Sequence, residues 1–154
     1  MADHWSQAAL YAEVQQHQAR QMHALDEGKF EEYADTFTPD GVFRHTPGRD
    51  PAIGREAIVR ELNEFHERYA EDPVQRRHMF TMLAIDELDE LDDSAVQADF
   101  YTLVLTTRVD GLTVGPSCPV RDVLVRGADG RLLTASRWVE HDNRTVAERT
   151  AAAR

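Results

Sequence analysis

Residues 75–85, Gln75-Arg76-Arg77-His78-Met79-Phe80-Thr81-Met82-Leu83-Ala84-Ile85, form the stretch whose alternation decides the fold. Side chains here follow a period of two, as in a strand with one buried face, whereas the chain before it repeats apolar residues at helical spacing. The alternation turns His78 inward near the start of the strand. A lone inward histidine is an ordinary structural residue unless a partner meets it.

Upstream, Leu10, Val14, Met22 and Leu25 recur at helical spacing and predict a long amphipathic first helix from about Ser6 to Glu27. Polar His17, Gln18 and Gln21 interrupt the stripe. They are read as a solvent-reaching end of a core helix, with a face lining a polar cavity as the alternative. Gly28 breaks the helix, and Phe30, Tyr33, Ala34 and Phe37 restart a short one at a new angle. Thr38-Pro39-Asp40-Gly41 predicts a turn, because proline presets φ and glycine accepts positive φ. A first strand, Val42 to His45, follows with Phe43 and His45 on one face. Pro47-Gly48-Arg49-Asp50-Pro51 reads as a loop that covers a pocket mouth. After Gly54, Ile58, Leu62, Phe65 and Tyr69 form the stripe of another helix, with His66 at its exposed boundary.

Downstream the period stays at two. Strands are predicted at about Arg76 to Leu88, Ala95 to Arg108, Val120 to Arg126 and Leu132 to His141, with turn signals at 86–93, 109–111 and 128–130. The acidic run from Asp86 to Asp93 lacks the glycine and terminal glutamate of a calcium loop and reads as a solvated hairpin end. His141 is placed near a strand end in solvent. The chain is therefore one α+β domain over residues 1–142, a cone-shaped curved antiparallel sheet wrapped around N-terminal helices with an internal pocket. Residues 143–154 are a tail, a frayed helix or disordered.

Composition narrows the partners. Seventeen Lys+Arg against 28 Asp+Glu give a formal net charge of -11, a field that repels phosphate backbones and anionic lipid, so neither nucleic acid nor a membrane is expected. No apolar run is long enough to span a bilayer and the first residues lack a secretory pattern, so the expected location is cytoplasmic. The single Cys118 excludes an internal disulfide and a cysteine-based zinc site, and reads as a buried bystander. No local spacing supports a metal site. No cofactor is expected.

Four segments come in an order and spacing that resembles the nuclear transport factor 2-like superfamily, in its branch of SnoaL-like polyketide cyclases and scytalone dehydratase. They are residues 25–33 (Leu25-Asp26-Glu27-Gly28-Lys29-Phe30-Glu31-Glu32-Tyr33), residues 37–43, Arg77-His78-Met79-Phe80, and residues 121–126 followed by Asp129-Gly130-Arg131. The likeness runs from about Leu10 to His141. It implies that His78 is a catalytic histidine partnered by Asp26 at the end of the first helix. It places His45 where the dehydratase has a substrate-contacting tyrosine and Arg121 where it has an asparagine, inside the pocket. Leu25 stands in place of a further pocket tyrosine and Leu105 in place of a second catalytic histidine.

The chemistry follows from the pair. A carboxylate on one imidazole nitrogen sets the tautomer and leaves the other nitrogen to take a proton next to a carbonyl. The resulting enolate needs donors, for which His45, Tyr101, Arg121 and Arg137 are candidates by strand position, with Tyr33 as a further substrate-binding residue. Periodicity leaves open which sheet face sees the cavity. The expected function is a cofactor-independent cyclase or dehydratase acting on a polyketide-like, hydrophobic carbonyl compound of secondary metabolism such as antibiotic biosynthesis. The alternative is a non-catalytic binding or assembly subunit resembling the β subunits of ring-hydroxylating dioxygenases. Apolar residues on both sheet faces predict a homodimer through the outer face.

Overall fold

The computed structural model describes residues 4–88 and 95–153. Helix α1 (His4–Asp26) is followed by α2 (Phe30–Asp35), β1 (Phe37–Arg44), β2 (Ala52–Ile53), α3 (Arg55–Glu67), β3 (Gln75–Glu87), β4 (Val96–Arg108), β5 (Gly111–Arg126), β6 (Leu132–Val139) and α4 (Asp142–Ala152). The six strands form one sheet in the order β2-β1-β6-β5-β4-β3. Strands β3 to β6 are the expected antiparallel meander, while β1 adds to it in parallel beside β6. The sheet stays open, and register shifts within the β3–β4, β4–β5 and β5–β6 pairs bend it around the helices.

The helix-to-strand handover that the site depends on is local chemistry. Gly28 takes φ 74°, its N–H donates to the Leu25 carbonyl, and the Lys29 N–H donates to that of Ala24. That pair of bonds on a left-handed glycine is a Schellman stop. It ends α1 with Asp26 in its last turn, and the Gln75 side chain then donates to the Asp26 backbone carbonyl at 3.1 Å. The end of α1 is thus tied to the start of β3.

Three sequence expectations change. Thr38-Pro39-Asp40-Gly41 lies within β1, where it is looped out between the pairs Phe37↔Thr134 and Val42↔Ser136. Gly41 is needed there for space, since a Cβ would lie 2.9 Å from the Cβ of Phe37. Strand β5 begins at Gly111, well before Val120. Its breaker pair Gly115-Pro116 falls where the β4–β5 register shifts, so it bulges the strand without ending it. In β3 the alternation holds through Arg76, His78 and Phe80 and then slips one residue at the shift between Thr81 and Ala84. Met82 takes φ 56° there and faces solvent, and the slip returns Leu83 and Ile85 to the packed side. The acidic run falls largely on residues 89–94, outside the described residues.

Packing divides into two clusters. One joins α1, α2, β1 and α3 through Met22, Phe30, Tyr33, Phe37, Phe43 and Leu62. The other joins Val14 of α1 to β4, β5 and β6 through Phe100, Val120 and Leu124. Phe80 packs against both. The polar stripe of α1 is largely withdrawn, with Gln18 and Gln21 buried and His17 half-buried: Gln21 donates to the hydroxyls of Thr36 and Thr134, and His17 Nε2 lies 3.0 Å from Thr134 Oγ1, while Gln18 Nε2 has no partner among the described residues. The expected wet end is therefore a hydrogen-bonded polar seam, because the inner sheet face supplies partners at matching positions.

Candidate active site

A cavity of about 360 Å³ opens between the helices and the inner sheet face, lined mainly by apolar side chains from α1, α3, β3, β4 and β5. His78 stands on its wall. His78 Nδ1 lies 2.5 Å from Asp26 Oδ1, and the His78 backbone N–H donates to Asp26 Oδ2 at 3.1 Å. Both carboxylate oxygens therefore hold one residue, through its ring and its backbone. The side chains are 16% and 7% exposed, enough withdrawn from water for the contact to be strong. The arrangement makes Nδ1 the donor and leaves Nε2 for a bound molecule.

The inner end of the cavity is held by a buried cation. Arg137, 1% exposed, donates Nε and Nη2 to the two oxygens of fully buried Asp122 at 2.9 and 2.6 Å. It also donates to Gln21 Oε1 at 2.7 Å and to the Tyr33 hydroxyl at 3.0 Å. Burial opposes the charge on Arg137, but Asp122 and Tyr33 outweigh it and raise its pKa. Asp122 and Arg137 face each other across β5 and β6, so strand pairing sets the ion pair. Burial likewise pushes the Tyr33 hydroxyl up, against the pull of Arg137. Tyr33 accepts from Arg137 and keeps its own proton to donate.

His45 also lines the cavity. Its Nδ1 meets Thr46 Oγ1 at 3.1 Å, its Nε2 lies 3.1 Å from Glu61 Oε1, and its ring stacks on Phe43. Burial lowers its pKa against the attraction of Glu61. With Nδ1 against Thr46 and Nε2 beside Glu61 but without a hydrogen-bond partner, His45 presents mainly a ring surface. Cys118 is buried on the wall, its thiol pushed up to about 11 by burial. His141, expected in solvent, is half-buried at the cavity.

Two expected pocket residues lie elsewhere. Tyr101 is 60% exposed on the outer face, and Arg121 pairs there with Asp99 at 2.7 Å. Successive residues of a strand point to opposite faces, and here the inward set on β4 is Phe100, Thr102, Val104 and Thr106, with Asp122 inward on β5. Leu105 also falls outside this inward set, so the β4 wall beside His78 carries no titratable group. Sequence reasoning missed Arg76, Glu61 and Asp122, and gave Gln21 only as part of a face that lines a polar cavity in the alternative reading. For Arg76 a signal existed, since it precedes His78 by two residues on the same strand face. For the others only the strand register or helix docking reveals the partner. Among the described residues no group of three or more His, Cys, Asp or Glu side chains is placed to hold a metal ion, and no helix is long and apolar enough to cross a membrane.

Helices set in the bowl of an open sheet, with a His–Asp pair on the wall of an apolar cavity, define a pocket protein of the NTF2-like kind. The chain belongs to the SnoaL-like domain family, whose model matches residues 6–138. A protein from Catenulispora acidiphila solved in complex with S-DNPA is 94% identical, with 91% of this chain and 98% of that one covered and a TM-score of 0.84. ActVI-ORFA of Streptomyces coelicolor is 45% identical over 88% of this chain and 98% of its own, with a TM-score of 0.81. Aln2 of a Streptomyces species is 37% identical over 91% of this chain and 96% of its own, with a TM-score of 0.82. Among curated proteins none matches this chain.

Proposed function

We propose that the chain is a cyclase or dehydratase that abstracts a proton next to a carbonyl of a polyketide-like small molecule. The observation that carries this reading is the 2.5 Å contact between His78 Nδ1 and Asp26 Oδ1 on the wall of an apolar cavity. His78 Nε2 takes the proton, and the electron pair of the broken C–H bond moves onto the carbonyl oxygen. Tyr33, polarised by Arg137, donates its hydroxyl proton as a hydrogen bond to that oxygen. The enolate then either expels a β-hydroxyl, which takes the proton back from His78 and leaves as water, or attacks a second carbonyl to close a ring, the resulting alkoxide taking that proton from His78 to become a hydroxyl. His45 shapes the cavity through its ring face, and Asp26 orients His78.

S-DNPA, the ligand of the 94% identical protein, is the first compound to assay, alongside carbonyl-bearing polyketide analogues. His78→Ala keeps the fold, read as the wild-type circular dichroism spectrum, and loses turnover by about a hundredfold or more. Turnover close to wild type in a folded variant refutes the catalytic reading. A second reading, binding without turnover, is favoured by the β4 wall, where Thr102, Val104 and Thr106 supply no second titrating group. Under it, wild-type protein binds S-DNPA and leaves it unchanged. We also infer that a second copy of the chain covers the outer sheet face, where Met79, Tyr101, Val114 and Trp138 are exposed.

A further inference from the structure

Beyond the His78–Asp26 pair, the cavity wall carries a cation that the described residues do not neutralise. Five arginines of the described residues are buried or half-buried: Arg137 is buried, and Arg44, Arg55, Arg76 and Arg108 are half-buried. Four of them pair with a carboxylate, in order Glu140, Asp35, Asp72 and Asp122. Arg76 pairs with none among the described residues. Its Nε is buried with no hydrogen-bond partner, and its guanidinium rests 4.9 Å from the centroid of the Phe65 ring. Tyr69, Asp26 and Cys118 are the groups that act on it electrostatically. Asp26 is the one carboxylate of the three, and both its oxygens are already engaged by His78.

A guanidinium half withdrawn from water, with a buried N–H and no counter-charge, gains from an anion that shares the site. Burial lowers the Arg76 pKa from its ordinary value, yet a guanidinium stays charged at neutral pH. With a formal net charge of -11 the chain as a whole repels anions, so a free cation inside its cavity is a local device. Arg76, His78 and Phe80 point the same way from β3, and Arg76 and His78 have Cα atoms about 7 Å apart by strand geometry. Leu62, Phe65, Phe80 and Val104 supply the apolar wall around them.

We propose that Arg76 anchors a carboxylate carried by the small molecule that fills the cavity, so that the ligand class is an apolar, ring-bearing acid lying along β3 with its reacting carbon at His78. The anchor rests on the cavity being a small-molecule site, as proposed above, and does not depend on turnover. The guanidinium fork suits a carboxylate because two parallel N–H donors meet its two oxygens.

The test compares a naphthalene carboxylic acid with its carboxamide, the same bicycle with and without the charge, by calorimetric titration at neutral pH. Wild-type protein binds the acid about tenfold or more tightly than the amide. Arg76→Gln binds both alike and keeps the amide affinity, and Arg76→Lys, which retains the charge and loses the fork, keeps part of the preference. A wild-type ratio near one, no binding of the acid at about millimolar concentration, or a preference that survives in Arg76→Gln overturns the anchor. The wild-type ratio needs no variant and so stands even where Arg76→Gln does not fold. An acid preference that holds while His78→Ala turns over like wild type keeps the anchor and removes the catalytic reading. A lost preference with a large His78 effect does the reverse.

Discussion

Replacing His17 by glutamine removes a titrating group from the polar seam between α1 and the sheet. His17 Nε2 lies 3.0 Å from Thr134 Oγ1. Burial, and then the charge of Arg137, push its pKa from 6.5 down to about 4, against the pull of Glu13. In the unfolded chain the same imidazole takes up its proton near the ordinary value. Between pH 6.5 and about 4 the unfolded state therefore binds more protons than the folded one, so stability falls as the pH falls through that window. At about 1.4 kcal/mol for each pH unit, the loss reaches about 3 kcal/mol at the lower end of that window. Urea unfolding followed by circular dichroism, on wild type and His17→Gln from about pH 7.5 to about pH 4, isolates this contribution because the other ionisable groups cancel in the difference. The wild type should lose about 3 kcal/mol relative to the variant across the window. Two curves running parallel would show that His17 protonates as readily inside the fold as outside, and would refute the reasoning.

Asp122→Ala strands a buried guanidinium and should cost about 3–5 kcal/mol, read as a fall of roughly 10 °C in melting temperature. The double replacement Asp122→Leu with Arg137→Met should regain most of it, and a single variant that melts like wild type would show that the pair carries no such burden. Arg121→Ala, on the outer face beside Asp99, should change stability by no more than about 0.5 kcal/mol and leave the affinity for S-DNPA equal to whatever the wild type shows; an affinity lower than wild type would return Arg121 to the pocket. Light scattering behind a sizing column should give twice the chain mass for wild type and the single chain mass for Tyr101→Lys, whereas a monomeric wild type would leave the outer face uncovered.

Much of the architecture was legible because it is written in short-range patterns. Leu10, Val14, Met22 and Leu25 mark α1, Gly28 marks its stop, and the alternation from Arg76 marks β3. The prediction that Asp26 meets His78 came from resemblance to a family, since nothing in the local pattern of either residue names the other. The pocket list fared unevenly for a physical reason. An error of one residue in assigning a strand's faces exchanges inside for outside, so Arg121 took the inward place that belongs to Asp122, and Tyr101 that of its neighbours.

The sequence by itself determined the order of the helices and strands apart from β2 and α4, the stop at Gly28 and the inward turn of His78, because each depends on residues within a few positions of one another. The tertiary structure alone decided which face of β4 and β5 sees the cavity, that Met82 resets the alternation of β3, and that Arg137 is neutralised by Asp122 whereas Arg76 is left free among the described residues. Those outcomes rest on strand register and on the docking of helices against the sheet. Both bring together side chains up to 117 positions apart, as in the contact between His17 and Thr134, a distance over which a periodic pattern carries no information.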